Sequence, residues 1–507
     1  MPQNLARVLS AELEGVEAKL IDVEVDLNVG LHSFTIVGLA DKALSEAKER
    51  VSSALKNSGT KPPTKENRKI TVNLAPADVK KTGSQYDLAI AVGYLLATGQ
   101  IKKFETDDKI FFGELALTGD LRPVSGALNV AILAKKLGVR YLFLPTGNAN
   151  EASLIAGVTI IPVSHLSTLL NHLEEIKPIE PQPASEFSPT PNAGIDITEI
   201  RGQEAAKRAL TVAAAGGHNI IMTGPPGSGK TMLAQALISL LPPPTLGEAI
   251  EISQIWSAAG LLRGSHAKSR PFRSPHQTAS PVAVVGGGPN PRPGEISLSH
   301  RGVLFLDELP EFRRDLLEAL RQPLESGEII ISRVKNNLTF PARFILVAAM
   351  NPCPCGYYND PEKECRCSAH EIFRYQKKIS GPLLDRIDIQ INVPRMKIEN
   401  LRKPPEDSNH FRAAVTRARS IQRDRFKNSG LKIFTNSEMS SKECENLVNL
   451  SREADDFLKS IFDKSLLSTR GYYRILKTSR TIADLDDEAS VGPNHLAEAF
   501  QLRIREN

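Results

Sequence analysis

The chain has 507 residues, too many for one hydrophobic core and enough for about three domains. Its formal charge of +5 allows a polyanionic partner without demanding one, so basic residues carry meaning only where they cluster. Four of the five cysteines lie between Cys353 and Cys367, which excludes a spread-out disulfide framework and points to a metal in a reducing compartment.

The opening residues 1–14 carry acids and no long apolar stretch, and no apolar run is long enough to span a bilayer. A cytoplasmic protein with no membrane partner is expected. Over residues 1–176, β-rich runs at 18–25, 34–37 and 69–74 alternate with helical patterns at 41–57 and 87–98, the last apolar on all sides. An α+β domain follows. Three of its segments, Asn73 to Asp78, Gly83-Ser84-Gln85-Tyr86-Asp87-Leu88 and Gly113 through Gly126, resemble the proteolytic domain of the Lon family. That family cleaves with a Ser–Lys dyad, whose positions here fall at Gln85 and Leu128. An amide is not activated by losing a proton and a leucine accepts none, so the resemblance implies the fold without peptidase activity.

Residues 177–194 are rich in proline, serine and acids, a composition that builds no core and reads as a semi-rigid linker. Residues 195–394 form an α/β nucleotide module. The apolar run Ile220-Ile221-Met222 enters Gly224-Pro225-Pro226-Gly227-Ser228-Gly229-Lys230-Thr231, which matches the phosphate-loop pattern at every fixed position and precedes a helix at 232–241. Such a loop aims backbone N–H groups and a helix N-terminus at one anion, here the phosphates of ATP. Lys230 would hold the β- and γ-phosphates and Thr231 would ligate Mg2+. The apolar run 303–306 ends in Asp307 and Glu308, placed to hold the magnesium and to activate the attacking water. A further buried strand at 344–350 ends at Asn351, which looks like the first sensor of AAA+ ATPases. The segment Ser380 to Asp388 resembles the AAA+ arginine-finger segment, with Arg386 reaching a neighbouring subunit's γ-phosphate; a local ion pair of Arg386 with Asp385 or Asp388 is the other reading.

Two inserts interrupt this module. The stretch from Arg270 to Glu295, rich in glycine and proline, resembles the helix-2 insert shared by magnesium-chelatase motor subunits and MCM helicases. Residues 328–340 read as a β-hairpin with a basic tip. In the MCM group the equivalent hairpin enters a ring channel, which would put Arg333 and Lys335 on DNA phosphates; a solvated hairpin stays open as the alternative. Cys353, Cys355, Cys365 and Cys367 form two C-x-C pairs able to place four thiolates around one Zn2+, or alternatively to act as a redox pair. Residues 395–507 read as a helical lid. Its helix carrying Arg412, Arg417, Arg419, Arg423, Arg425 and Lys427 has the pattern of a charged, solvated face, with nucleic-acid contact as the additional reading. The long helix after residue 467 places Arg470 where related ATPases carry a second sensor, with Arg474 one turn on as the competing choice.

Taken together, the Lon-like region, the Arg270–Glu295 insert and the cysteines after Met350-Asn351-Pro352 resemble the magnesium-chelatase-like AAA+ family, and within it a bacterial competence-associated branch. The resemblance implies a homo-hexameric ATPase, its ring promoted by nucleotide or DNA. It further implies a helicase that drives branch migration on single-stranded or branched DNA during recombination of incoming DNA. A metal-chelatase motor subunit and a protein-remodelling ATPase are the alternatives. No integrin-type D-x-S-x-S motif, which chelatase partners carry, is present.

Overall fold

The computed structural model describes residues 4–38, 42–65, 67–288, 291–332, 337–396, 408–464 and 468–503. The chain divides into two compact units, one built mainly from Met1–Ser188 and Ala249–Ala267, the other mainly from Pro189–Glu248, Lys268–Ser332 and Thr339–Asn507.

The first unit is a seven-stranded mixed sheet in the order Ser33–Val37, Arg68–Ala75, Glu17–Val29, Leu5–Glu14, Lys109–Phe111, Tyr141–Pro145 and Thr159–Val163. In Glu17–Val29 the apolar Ile21, Val23, Val25 and Leu27 are buried while Asp22, Glu24 and Asp26 between them are only partly so, the period-two alternation of a strand with one core face. That face packs on the helix Asp87–Ala97, every residue of which is buried. The helix expected over 41–57 is interrupted, running as Lys42–Ser45 and then Ala47–Asn57, with residue 41 outside the described residues. The strand Leu5–Glu14 is an addition to the elements expected from sequence. Its Glu12 is buried and accepts hydrogen bonds from the Thr82 backbone N–H (3.2 Å) and hydroxyl (2.9 Å), Gln85 Nε2 (2.9 Å) and the Tyr86 hydroxyl, which is what lets an acid lie inside.

The second unit holds a parallel five-stranded sheet in the order Phe272–Arg273, Val303–Leu306, Ile345–Met350, Ile220–Thr223 and Ile389–Asn392. Val303–Leu306 and Ile345–Met350 are buried at every residue, the continuous apolar reading of parallel strands covered on both faces. Helices Glu204–Gly216 and Lys230–Leu240 pack on it, and five more follow: Ser408–Asn428, Ser441–Leu447, Arg452–Lys464, Thr469–Leu485 and Pro493–Gln501. A mixed α/β architecture with a parallel sheet and a helical continuation is thus what the sequence pattern leads to. The proline-rich stretch has no regular element. Its Gln182 N–H donates to Ile160 O (2.8 Å) in the first unit, and its Thr190 N–H donates to Lys268 O (2.8 Å) in the second.

The arginine-rich helix corrects one expectation. Val415, Ala418, Gln422 and Phe426 bury a stripe of helical period, and three arginines beside it bind other elements of the unit, Arg412 with its side chain still partly in solvent. Arg412 pairs with Asp196 (2.8 Å), Arg419 donates twice to Ala214 O (3.0 and 2.8 Å), and Arg425 pairs with Asp484. Arg417, Arg423 and Lys427 remain exposed. No helix among the described residues is long and apolar enough to cross a membrane.

Candidate functional site

The strand Ile220–Thr223 delivers the chain into the phosphate loop, where Gly227 (φ 78°) and Gly229 (φ 89°) take left-handed conformations that glycine adopts without a Cβ penalty. The helix then begins at Lys230, so its first unpaired N–H groups lie at the end of the loop. Lys230 Nζ donates to Gly224 O (2.7 Å) and Pro225 O (2.9 Å) and lies 3.3 Å from Asn351 Oδ1. Burial lowers its pKa, against the pull of Asp307 and Glu308. Thr231 Oγ1 donates to Asp307 Oδ2 at 3.0 Å. The other Asp307 oxygen accepts the Glu308 N–H at 2.9 Å. Glu308 itself is exposed and sits at φ 53°, ψ 46°, a left-handed conformation that costs a non-glycine residue roughly 1–3 kcal/mol.

Three neighbouring parallel strands therefore end on one site: Ile220–Thr223 in the loop, Val303–Leu306 in Asp307 and Glu308, and Ile345–Met350 in Asn351. The carboxyl edge of an open α/β sheet is where ligands of such folds sit. A hydroxyl and a carboxylate 3.0 Å apart beside a buried ammonium suit a hard divalent cation and a polyphosphate.

Arg386 is buried and makes neither local pair open to it from sequence. Its guanidinium lies 2.9 Å from Glu325 and donates to Pro382 O at 2.7 Å. Asp385 instead pairs with Arg503 (2.9 Å), and Asp388 is held by Arg474 and, at 3.8 Å, by His218. Despite burial, which opposes charge, Arg474 and His218 keep the Asp388 carboxyl far below the usual range. Arg470 Nε lies 3.4 Å from the same Glu325. The two sensor candidates thus separate: Arg474 is committed to a buried carboxylate, while Arg470 is half-exposed beside Arg386. Glu325 carries no signal in sequence, because an acid in a short helix, Arg321–Ser326, looks like any solvated acid.

The four clustered cysteines come together. Cys353 Sγ lies 3.4 Å from Cys355 and 3.7 Å from Cys365, Cys355 lies 3.6 Å from Cys365, and all four sulfurs fall within 4.8 Å of one another. Ligands at about 2.3 Å from a tetrahedral ion stand about 3.8 Å apart, so the cluster suits one metal held by four thiolates. The loop also touches the nucleotide site. Gly356, at φ 85°, approaches the phosphate loop so closely that a Cβ there would lie 2.6 Å from Pro226 Cδ. Cys444 is buried elsewhere, and burial pushes its thiol up to about 11.

In the first unit, Gln85 Nε2 donates to Glu12 (2.9 Å) and Thr82 O (2.7 Å), and Leu128 is fully buried. Ser84 donates its hydroxyl to Glu114. The two dyad positions, Gln85 and Leu128, hold neither a nucleophile nor a base. The hairpin expected at 328–340 is present as Glu328–Ser332 and Asn337–Pro341, while Arg333 and Lys335 lie outside the described residues.

Comparison with known proteins places this geometry in a lineage. The family model described as magnesium chelatase, subunit ChlI, matches residues 196–401, a second ChlI model matches 23–148, and a ChlI C-terminal model matches 405–503. The chain is 47% identical to Competence protein ComM of Haemophilus influenzae across 99% of this chain and 97% of that protein. It is 43% identical to the protein YifB of Escherichia coli across 96% and 95%. A magnesium-chelatase subunit ChlI homolog of Methanocaldococcus jannaschii is more distant, 23% identical over 61% of this chain and 84% of its own length. With a phosphate loop, an Asp–Glu strand end and an adjoining asparagine on one sheet edge, the chain belongs to the magnesium-chelatase-like family of AAA+ ATPases, in the branch that contains ComM and YifB.

Proposed function

We propose that this protein is an ATP-driven DNA motor, working as a homo-hexameric ring that promotes branch migration during recombination of incoming DNA. The observation that carries the ATPase half is the meeting of Lys230 with Asn351 and of Thr231 with Asp307, contacts that join the phosphate loop to two other strands. Lys230 and the loop N–H groups bind the β- and γ-phosphates. Thr231 and Asp307 would hold Mg2+, which when bound would offset phosphate charge. Glu308 takes a proton from a water that Asn351 orients; the water oxygen bonds to the γ-phosphorus, the bond to the bridging oxygen breaks, and ADP and phosphate leave. A neighbouring subunit's Arg386, released from Glu325, stabilises the transferring phosphoryl group, with Arg470 beside it. Cys353, Cys355, Cys365 and Cys367 would hold Zn2+, and a metal there would order the loop that abuts Pro226. The mutual closeness of all four sulfurs favours a metal over a redox pair, which would need only two.

The DNA half is supported by kinship with a protein named for competence and by the basic residues Arg333 and Lys335 in the sequence between the strands Glu328–Ser332 and Asn337–Pro341. The first unit, with Gln85 and Leu128 at the dyad positions, acts as a non-catalytic module. Steady-state ATPase activity measured with single-stranded, duplex and four-way-junction DNA over a salt series tests the assignment. Stimulation that weakens with salt, as phosphate contacts require, is expected. A rate that no DNA changes would overturn the DNA half; stimulation by unfolded protein, or by a porphyrin-binding partner, would move the substrate to those classes.

A further inference from the structure

A cavity of about 430 Å3 opens in the second unit at the opposite edge of the sheet from the phosphate loop. Asn219, Gly302 and Phe344 line it, each immediately before the first residue of a sheet strand, together with Phe434, Thr435, residues 437–441 and the helices that carry Arg419 and Lys477. Its lining holds six cationic side chains and four carboxylates.

The charges pair unevenly. Arg270 forms a bidentate pair with Glu248 (2.7 and 2.8 Å), and Arg474 takes Asp388. Arg301 and Arg343 both pair with Glu438, Arg301 at 3.0 Å. Glu325 is occupied by Arg386 and Arg470. Arg419 and Lys477 have no carboxylate within ion-pair distance among the described residues. Arg419 donates only to Ala214 O, and Lys477 only to Ser437 O at 3.0 Å. An ammonium carries three N–H donors and a guanidinium five, so both keep donors beyond these carbonyls. Desolvation brings Arg419 down to about 10 against the pull of Glu248 and Glu438, and lowers Lys477 against the pull of Asp388 and Glu325.

Two part-buried cations with no carboxylate in ion-pair contact, in a lining where six cationic side chains face four acids, are costly to desolvate, and an anion that joins them offsets that cost. We propose that this cavity binds a small phosphate-bearing anion between Lys477, Arg419 and the Arg301–Arg343 pair. Its volume is that of a small-molecule site, larger than one phosphate group fills, so the ligand carries a diphosphate or a nucleoside on its phosphate. The site is separate from the phosphate loop and requires no hydrolysis.

Calorimetric titration of full-length Lys230→Ala protein, in which the phosphate loop is disabled, tests this with inorganic pyrophosphate, orthophosphate and AMP as probes. Saturable pyrophosphate or AMP binding is expected, about tenfold or more weaker when Lys477→Met or Arg343→Gln is added, and restored toward the starting value by Lys477→Arg. AMP binding more tightly than pyrophosphate would identify a nucleoside-bearing ligand, and the reverse a diphosphate. Should Lys477→Met unfold, as judged by circular dichroism, Arg343→Gln at the partly exposed rim decides between the outcomes. Failure of every probe to bind Lys230→Ala protein, or binding that neither cavity variant weakens, would overturn the proposal.

Discussion

Lys230 is a buried ammonium whose partners are carbonyls and an amide rather than a carboxylate, so it is poised for anionic oxygens that its own chain does not supply. Lys230→Ala is expected to abolish tight ATP binding, measured by titration with a fluorescent nucleotide; unchanged turnover would remove the phosphate-loop assignment. A different balance operates at Glu248. Burial opposes its ionisation, but Arg270 overrides it and holds the carboxyl at about 2. A folded-state value depressed below the unfolded 4.5 gives stability that is complete above pH 4.5 and lost as pH falls through about 2, in all roughly 3 kcal/mol. Urea unfolding of wild type and Glu248→Gln should therefore show a gap that is widest near neutrality and closes over that acid window. A gap independent of pH would contradict the assignment. Lys230, Thr231, Asp307 and Glu308 are legible in sequence because phosphate chemistry fixes residue types at fixed spacing. Glu325 is not, since its two arginine partners lie 61 and 145 residues away, as the numbers of Arg386 and Arg470 give.

The same distinction separates the elements. Phosphate-loop strand and helix are readable because one local pattern specifies both. Leu5–Glu14 is hidden because the partners that make buried Glu12 tolerable lie more than 65 residues on, at Thr82, Gln85 and Tyr86. The arginine-rich helix misleads for the converse reason: its charges find carbonyls and acids on other elements, at Ala214, Asp196 and Asp484. The gathering of the four cysteines is legible from their spacing, yet the loop's contact with Pro226 is not, because Gly356 announces only a turn. Purified protein is expected to contain about one zinc per chain. Gly356→Ala should keep that zinc but weaken ATP binding severalfold, because a left-handed alanine costs about 1 kcal/mol and its Cβ would press on Pro226. Metal analysis and nucleotide titration of one preparation check both; zinc-free protein with an ordered loop would sink the metal claim.

For the whole molecule, sheet order exceeds what sequence can give. Phe272–Arg273 spans two residues, too short for a periodic signal, and becomes an edge strand only by pairing with Val303–Leu306. Segment Ala249–Ala267 belongs to the first unit although it lies within the second unit's span, an arrangement that no linear boundary expresses. Arg386 spends its charge on Glu325 within its own chain, so the proposed ring predicts rescue between subunits. Arg386→Ala should bind nucleotide but hydrolyse it poorly, and mixing it with Glu308→Gln should restore some activity at interfaces that pair an intact arginine with an intact glutamate. No recovery at any mixing ratio would argue against action between subunits.

Glu325 holds two guanidinium groups with one carboxylate, and a single negative charge cannot neutralise both. One positive charge is left over at a place where the proposed ring would present it to a neighbour's nucleotide. Encounter between subunits would then be hastened by long-range attraction that ionic screening shortens, before any close contact forms. The speed of assembly and its final strength would accordingly answer differently to salt, since steering governs the first and close packing the second.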